Sequence, residues 1–185
     1  MTDICIAEIR AIPIAKQKSL INSLSPAARE RLCKKREPHL RLSSIAAYSL
    51  LTNEERADLD FTPSGAPIFQ NLDKCISVSH SKNYACVVVT DSKSERVGID
   101  IEEKTTAPHS TTRFLTQNEQ KMLADGTPYL EIWTKKEALF KFLKNDSLPL
   151  PAIDSATPEK YGATLETRET DEYHLAVCTE KDNSK

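Results

Sequence analysis

Residues 97 to 102, Val97-Gly98-Ile99-Asp100-Ile101-Glu102, alternate apolar side chains with a glycine and two carboxylates. On an extended strand, successive side chains point to opposite faces. Val97, Ile99 and Ile101 then share one face, and Gly98, Asp100 and Glu102 the other. Acids two residues apart lie roughly 6 to 7 Å apart along a strand, near enough for both to reach one divalent cation, and Gly98 removes a side chain that would obstruct a ligand. The same pattern also describes a solvated strand face carrying two acids. A second set lies in Trp133-Thr-Lys-Lys-Glu137-Ala-Leu-Phe140-Lys141. On a helix Trp133, Glu137, Phe140, Lys141 and Lys144 fall on one stripe, so Glu137 lies among aromatic neighbours and needs a partner. Either Lys141, one turn on, pairs with it, or Glu137 joins Asp100 and Glu102 around a metal while Lys141 faces a phosphate. Oxygen ligands, with no Cys or imidazole at suitable spacing, favour Mg²⁺ over zinc. Such an ion usually completes its shell with water and substrate phosphates, which points to a phosphorylated cofactor.

Two further groups are candidates for anion binding. Ser77-Val-Ser79-His80-Ser81 gathers hydroxyls and an imidazole at a strand end; neighbours on a strand face opposite ways, so a catalytic Ser–His pair is unconvincing but an anion-binding rim is sensible. The basic run Lys34-Lys35-Arg36, with His39 and Arg41, is either a solvated helix face or a phosphate contact. No GxxxxGK[ST], GxGxxG or GxSxG pattern occurs, so the usual nucleotide and hydrolase cradles are absent.

The elements that must position these groups follow from periodicity and caps. A strand is expected over Asp3 to Ile9, ending before Pro13. A helical segment starts at Ser25-Pro26, with a break near Pro38. Asp60 to Pro67 reads as loop. Strands Ile76 to His80 and Tyr84 to Thr90 form a hairpin around Ser81-Lys82-Asn83. After the turn Asp91 to Glu95, Arg96 to Glu102 is a strand and Glu103 to Arg113 a polar loop. Thr116-Gln-Asn-Glu119 is a capping box opening a helix, and a second helix runs from about Pro128 to Lys144, ending before Asn145-Asp146. After the proline-rich stretch Leu148 to Pro158, strands Gly162 to Arg168 and Glu172 to Thr179 close the chain, with fraying expected over Glu180 to Lys185. Tyr84-Ala-Cys-Val-Val-Val-Thr90 and Tyr173-His-Leu-Ala-Val-Cys-Thr179 agree at three positions. This suggests an α+β fold of two pseudo-symmetric halves, 1–94 and 95–185, each a helix packed on a small, mainly antiparallel sheet. Ligands often bind where such halves meet.

Composition narrows the function classes. With 25 Lys plus Arg against 27 Asp plus Glu over 185 residues, the chain is not a strongly basic nucleic-acid binder. No apolar run is long enough to span a bilayer, and the first ten residues lack the cationic and apolar regions of a signal peptide. Five widely spaced cysteines, none in a CxxC pair, argue against a disulfide framework or zinc site. Cys5, Cys86 and Cys178, inside apolar strand-like runs, are expected to be buried in a reducing, cytoplasmic setting.

The order SVSHS (Ser77 to Ser81), VGIDIE (Val97 to Glu102), FLTQNE (Phe114 to Glu119) and WTKKEALFK (Trp133 to Lys141) resembles the 4'-phosphopantetheinyl transferases. More narrowly, it resembles the longer branch, in which one chain carries two pseudo-symmetric halves and a monomer is the simplest assembly. The resemblance implies transfer of the phosphopantetheine arm of coenzyme A to a serine of an apo acyl or peptidyl carrier protein, releasing adenosine 3',5'-bisphosphate. It implies that Asp100, Glu102 and Glu137 hold Mg²⁺, that Lys141 contacts the pyrophosphate, and that Arg41, Ser79 and His80 lie near the adenosine phosphates. Glu137 or Glu119 is the implied base, although Glu119 is also explained as the capping-box residue. Many members carry Gly-Lys-Pro ahead of the SHS motif where this chain has Gly65-Ala66-Pro67, and Lys82 is a candidate replacement for the missing lysine. Two other readings are a different Mg²⁺-dependent phosphohydrolase and a non-catalytic module that binds coenzyme A or carrier proteins.

Overall fold

The computed structural model describes residues 3–105, 112–144 and 148–181. The chain divides into two compact units, Met1–Glu95 and Arg96–Lys185. In the first, β1 (Asp3–Glu8) is followed by α1 (Ile14–Ser23), α2 (Pro26–Lys34), α3 (Pro38–Ser49) and α4 (Asn53–Asp58), then β2 (Leu59–Phe61), β3 (Pro67–Phe69), β4 (Ile76–His80) and β5 (Tyr84–Val89). Ser25 caps α2 by accepting from the Ala28 amide, and Pro26 and Pro38 open α2 and α3, as their fixed φ favours. Strands β1, β5 and β4 form an antiparallel sheet with β5 in the centre. Helix α3 packs on β4 and β5, burying Ile45, Ala46, Ala47 and Tyr48 in the same core as Ile76, Ala85 and Val87.

In the second unit, β6 (Val97–Glu103) leads to α5 (Gln117–Ala124), α6 (Tyr129–Leu143), β7 (Ala163–Glu169) and β8 (Tyr173–Glu180). Its sheet has the order β6-β8-β7, both pairs antiparallel. Each unit is therefore strand, helices, hairpin, with the last strand inserted between the first and its own hairpin partner. The two resembling heptapeptides supply the central strands, β5 and β8. The architecture is α+β, as expected.

A second local likeness is shared by the units. Leu51-Thr52-Asn-Glu-Glu55 opens α4 and Leu115-Thr116-Gln-Asn-Glu119 opens α5, each with a complete capping box. In both, the leucine before the cap is buried. The Thr52–Glu55 spacing is the same sequence signal as Thr116–Glu119, so α4 was legible though not expected. Helix α1 was also not expected; it buries Leu20 and leaves Ile14 exposed, so its apolar stripe is thin. The loop expected at Asp60 to Pro67 is instead the tip of the β2–β3 hairpin, with Leu59 opposite Phe69 and Phe61 opposite Pro67. Strands of three residues are too short to show alternation; buried Leu59 and Phe69 anchor them. The polar loop expected at Glu103 to Arg113 and the fraying expected at Glu180 to Lys185 fall largely outside the described residues, as do Asn145 and Asp146.

Helix α6 lies on β6 and β8, and the sheet face it covers is built from small residues. Gly98 stands opposite Cys178, and Asp100 opposite Ala176. Ala176 and Cys178 share a core with Ala138, Leu139 and Phe142 of α6. A β-carbon on Gly98 would fall 2.0 Å from the Ala138 carbonyl oxygen and 2.5 Å from the Phe142 nitrogen. Gly98 thus admits the backbone of α6 rather than an incoming ligand, which corrects the reading from the strand pattern alone. Burial of Cys86 and Cys178 is as expected, whereas Cys5 is exposed. Among the described residues, no helix is long and apolar enough to cross a membrane.

Gly98→Ala is expected to destabilise the protein by about 3 kcal/mol, since helix backbone rather than a flexible side chain blocks the methyl group. Chemical denaturation of the variant against the wild type measures this.

Candidate active site

Strand β6 and helix α6 bring together four of the charged side chains singled out in the sequence. Both faces of β6 are buried: Val97, Ile99 and Ile101 are fully so, and Asp100 is only 4% exposed. The alternative of a solvated acidic face therefore fails. Lys141 donates to Asp100 Oδ1 at 2.7 Å and to the Ile99 carbonyl at 3.1 Å. One lysine thereby ties α6 to β6 in the last turn of the helix.

Glu102 and Glu137 complete an electrostatically linked acid set. Burial, followed by the Asp100 charge, pushes the Glu102 carboxyl up to about 7; Lys141 and a hydrogen bond with Trp133 oppose the rise, and Glu137 adds to it. Burial and then Asp100 also raise Glu137, against the pull of Lys141 and Lys136. Desolvation penalises the charged form and like charges penalise one another. A cation in reach of these oxygens would relieve both penalties. Among the described residues, no three His, Cys, Asp or Glu side chains form a group that by itself could hold a metal. The donor chemistry still fits a hard ion such as Mg²⁺, which takes oxygen ligands and is commonly held by one or two carboxylates together with water and phosphate.

Glu119 has a different setting. It is fully buried, and its two oxygens accept four hydrogen bonds. Oε2 accepts from the Thr116 amide at 2.8 Å and Lys136 Nζ at 2.7 Å; Oε1 accepts from the Ser155 amide at 2.9 Å and Ser155 Oγ at 2.7 Å. The capping role is satisfied, and both oxygens are buried and each accepts two hydrogen bonds. Lys136, read only as part of a helical motif in the sequence, is as completely buried as Glu119 and also donates to the Ile153 carbonyl. A lysine beside another lysine on a helix gives no sign of which one turns inward.

In the first unit, His80 lines a pocket of about 140 Å³ with Arg31, Lys35, Ser44, Tyr48, Phe61, Gly65, Pro67 and Val78. Ser79 is buried on the other face of β4, and Arg41 is exposed and outside the lining. The basic run contributes Lys35 alone. Burial, with Arg31 nearby, lowers the Lys35 ammonium below its ordinary range, so an anion there would be favoured. The residue that the sequence did not suggest is Arg31. Its guanidinium stacks 4.5 Å over the Phe61 ring and lies where a β-carbon on Gly65 would come within 2.7 Å of Nη2. Gly65 has φ +93°, a conformation suited to glycine. A cation therefore stands beside Gly65-Ala66-Pro67, supplied by α2, while Lys82 is exposed in its turn and does not line the pocket.

The model of the 4'-phosphopantetheinyl transferase superfamily matches residues 96–182. The C-terminal unit is a domain of this superfamily. The match spans β6, α5, α6, β7 and β8, and so includes Asp100, Glu102, Glu137 and Lys141. Phosphopantetheinyl transfer is the chemistry for which the superfamily is named. No curated protein matches the chain.

The raised Glu102 pKa sets a direction for stability against pH. An unfolded glutamate ionises near 4.5, and the folded one near 7. Between those values the unfolded chain binds fewer protons than the native one, so this group's contribution is full below about 4.5 and lost as pH rises through about 7. Glu102→Gln is expected to remove that fall and raise stability at pH 8 by about 2 kcal/mol after discounting for partial exposure. Denaturation midpoints from pH 4 to 8, without divalent metal, test it.

Proposed function

We propose that the protein transfers the 4'-phosphopantetheine group of coenzyme A to a serine of an apo acyl or peptidyl carrier protein, with Mg²⁺, releasing adenosine 3',5'-bisphosphate. The observation that carries this reading is the coupled set Asp100, Glu102 and Glu137 with Lys141, inside a phosphopantetheinyl transferase superfamily domain. Asp100, Glu102 and Glu137 are the groups that would hold the metal. Mg²⁺ supplies charge neutralisation on the pyrophosphate when bound. Lys141 is the cation for the departing phosphate oxygen. Glu137, whose carboxyl is raised by burial and by Asp100, is the acid of this set assigned to accept the serine proton. Glu119 is left out of this role by its four hydrogen bonds.

Arg31, Lys35 and His80 support a phosphorylated substrate from the N-terminal unit, with an aromatic wall at Phe61 and Tyr48. This reading replaces Arg41 and Ser79 by Arg31 and Lys35 as the phosphate contacts and keeps His80. Two similar units in one chain support the single-chain branch, with a monomer as the simplest assembly.

Intact mass of apo carrier proteins, incubated with the protein, coenzyme A and Mg²⁺, is the test. A gain of one phosphopantetheinyl group is expected, lost with EDTA and reduced at least about 100-fold by Asp100→Asn or Glu137→Gln. Coenzyme A binding without transfer to any carrier would make the protein a binding module, and phosphate release without a carrier would make it a phosphohydrolase. Arg31→Ala is expected to raise the KM for coenzyme A about tenfold, a loss of about 1.4 kcal/mol, with a much smaller effect on dephospho-coenzyme A. Steady-state kinetics with both substrates measures the difference.

A further inference from the structure

The pair Lys136–Glu119 is a costly feature for a small domain. Both side chains are fully buried, with Nζ 2.7 Å from Oε2, and each charge removed from water costs several kcal/mol that attraction between them only partly offsets. An apolar pair of the same volume is often as stable or more so. The first unit contains the corresponding capping-box acid, Glu55, paired at 2.8 Å with Lys74, whose side chain is 35% exposed. That pair closes the cap of α4 with a lysine that comes from outside any helix. In the second unit the lysine comes from α6, the helix that bears Glu137 and Lys141.

We propose that Lys136 and Glu119 are positioning residues that fix the rotation of α6 about its axis, and so hold Glu137 and Lys141 against Asp100. The sheet face beneath α6 is made of small groups, Gly98, Ala176 and Cys178; buried Leu139 and Phe142 seat the helix closely on it, but apolar contact is not directional. An ion pair with directional hydrogen bonds fixes the rotation. Lys136 reaches Glu119 and the Ile153 carbonyl, while Glu119 is in turn held by Thr116 and Ser155. Adjacent residues on a helix are 100° apart, so turning Lys136 inward directs Glu137 along the neighbouring face. A rotation of about 20° would displace the helix backbone by roughly 1 Å. A misplacement of that size can lower a rate by about 100-fold.

This inference rests on the proposed transfer for its kinetic consequence but not for its structural one. The variant Lys136→Met/Glu119→Gln removes both charges and keeps a residue able to complete the capping box. Its crystal structure is expected to show the Lys141–Asp100 contact lengthened beyond hydrogen-bond distance. Its kcat for carrier modification is expected to fall about 10- to 100-fold with the KM for coenzyme A within about twofold, and Lys136→Arg to retain most of the rate. If the double variant does not fold, Glu119→Gln alone is judged by the same two readouts. A folded variant with the 2.7 Å contact intact and kcat within about twofold of wild type overturns the proposal. If the wild type transfers nothing, the functional reading fails, and the Lys141–Asp100 distance alone decides the positioning role.

Discussion

The close approach of α6 to β6 is the constraint on which the C-terminal unit depends. Helix backbone atoms occupy the space where any side chain at position 98 would begin. Because the helix comes this near, Lys141 reaches both the Asp100 carboxylate and the Ile99 carbonyl, and Glu137 comes close enough to feel the Asp100 charge. Small residues on β8, Ala176 and Cys178, continue the same low surface across the sheet. The Cys178 thiol, pushed up to about 12 by this burial, is a packing group and not a nucleophile.

Closeness brings an electrostatic cost. Three acids share a partly dry region with one lysine, and two of them respond with raised pKa values. Such a set is poorly suited to stability alone. It is well suited to a site completed by cationic charge and phosphate oxygens, where the repulsion present beforehand becomes attraction on binding. The Lys136–Glu119 pair answers a different demand in the same helix, adding directional bonds to close but non-directional apolar packing.

The two units show how one plan accommodates different chemistry. Each sheet inserts its last strand between the first strand and its hairpin partner, and each carries a Leu-Thr-x-x-Glu helix start. In the N-terminal unit the strand positions that correspond in register to Asp100 and Glu102 are Cys5 and Ala7, so the paired acids are absent there. Its notable polar group is instead the pocket formed by α2, α3, β4 and the β2–β3 hairpin, with Arg31 held between Phe61 and Gly65.

Local pattern was enough to reveal β6, the Thr116 cap, the span of α6 and the β4–β5 hairpin, because alternation, capping boxes and short turns act over a few residues. The order of four short motifs was enough to indicate the family. The short β2–β3 strands and the thinly amphipathic α1 carried too little periodicity to be read. Other features depended on which distant atoms meet. Gly98 looked like room for a ligand and is room for a helix. Glu119 was open to two roles until Lys136 and Ser155 closed around it. Arg31 had no mark in the sequence to distinguish it from other surface arginines. The sequence by itself determined which residues carry charge and which strand or helix holds them; the tertiary structure decided which charges are stripped of water and brought together, because desolvation and Coulomb coupling depend on distances that no local spacing specifies.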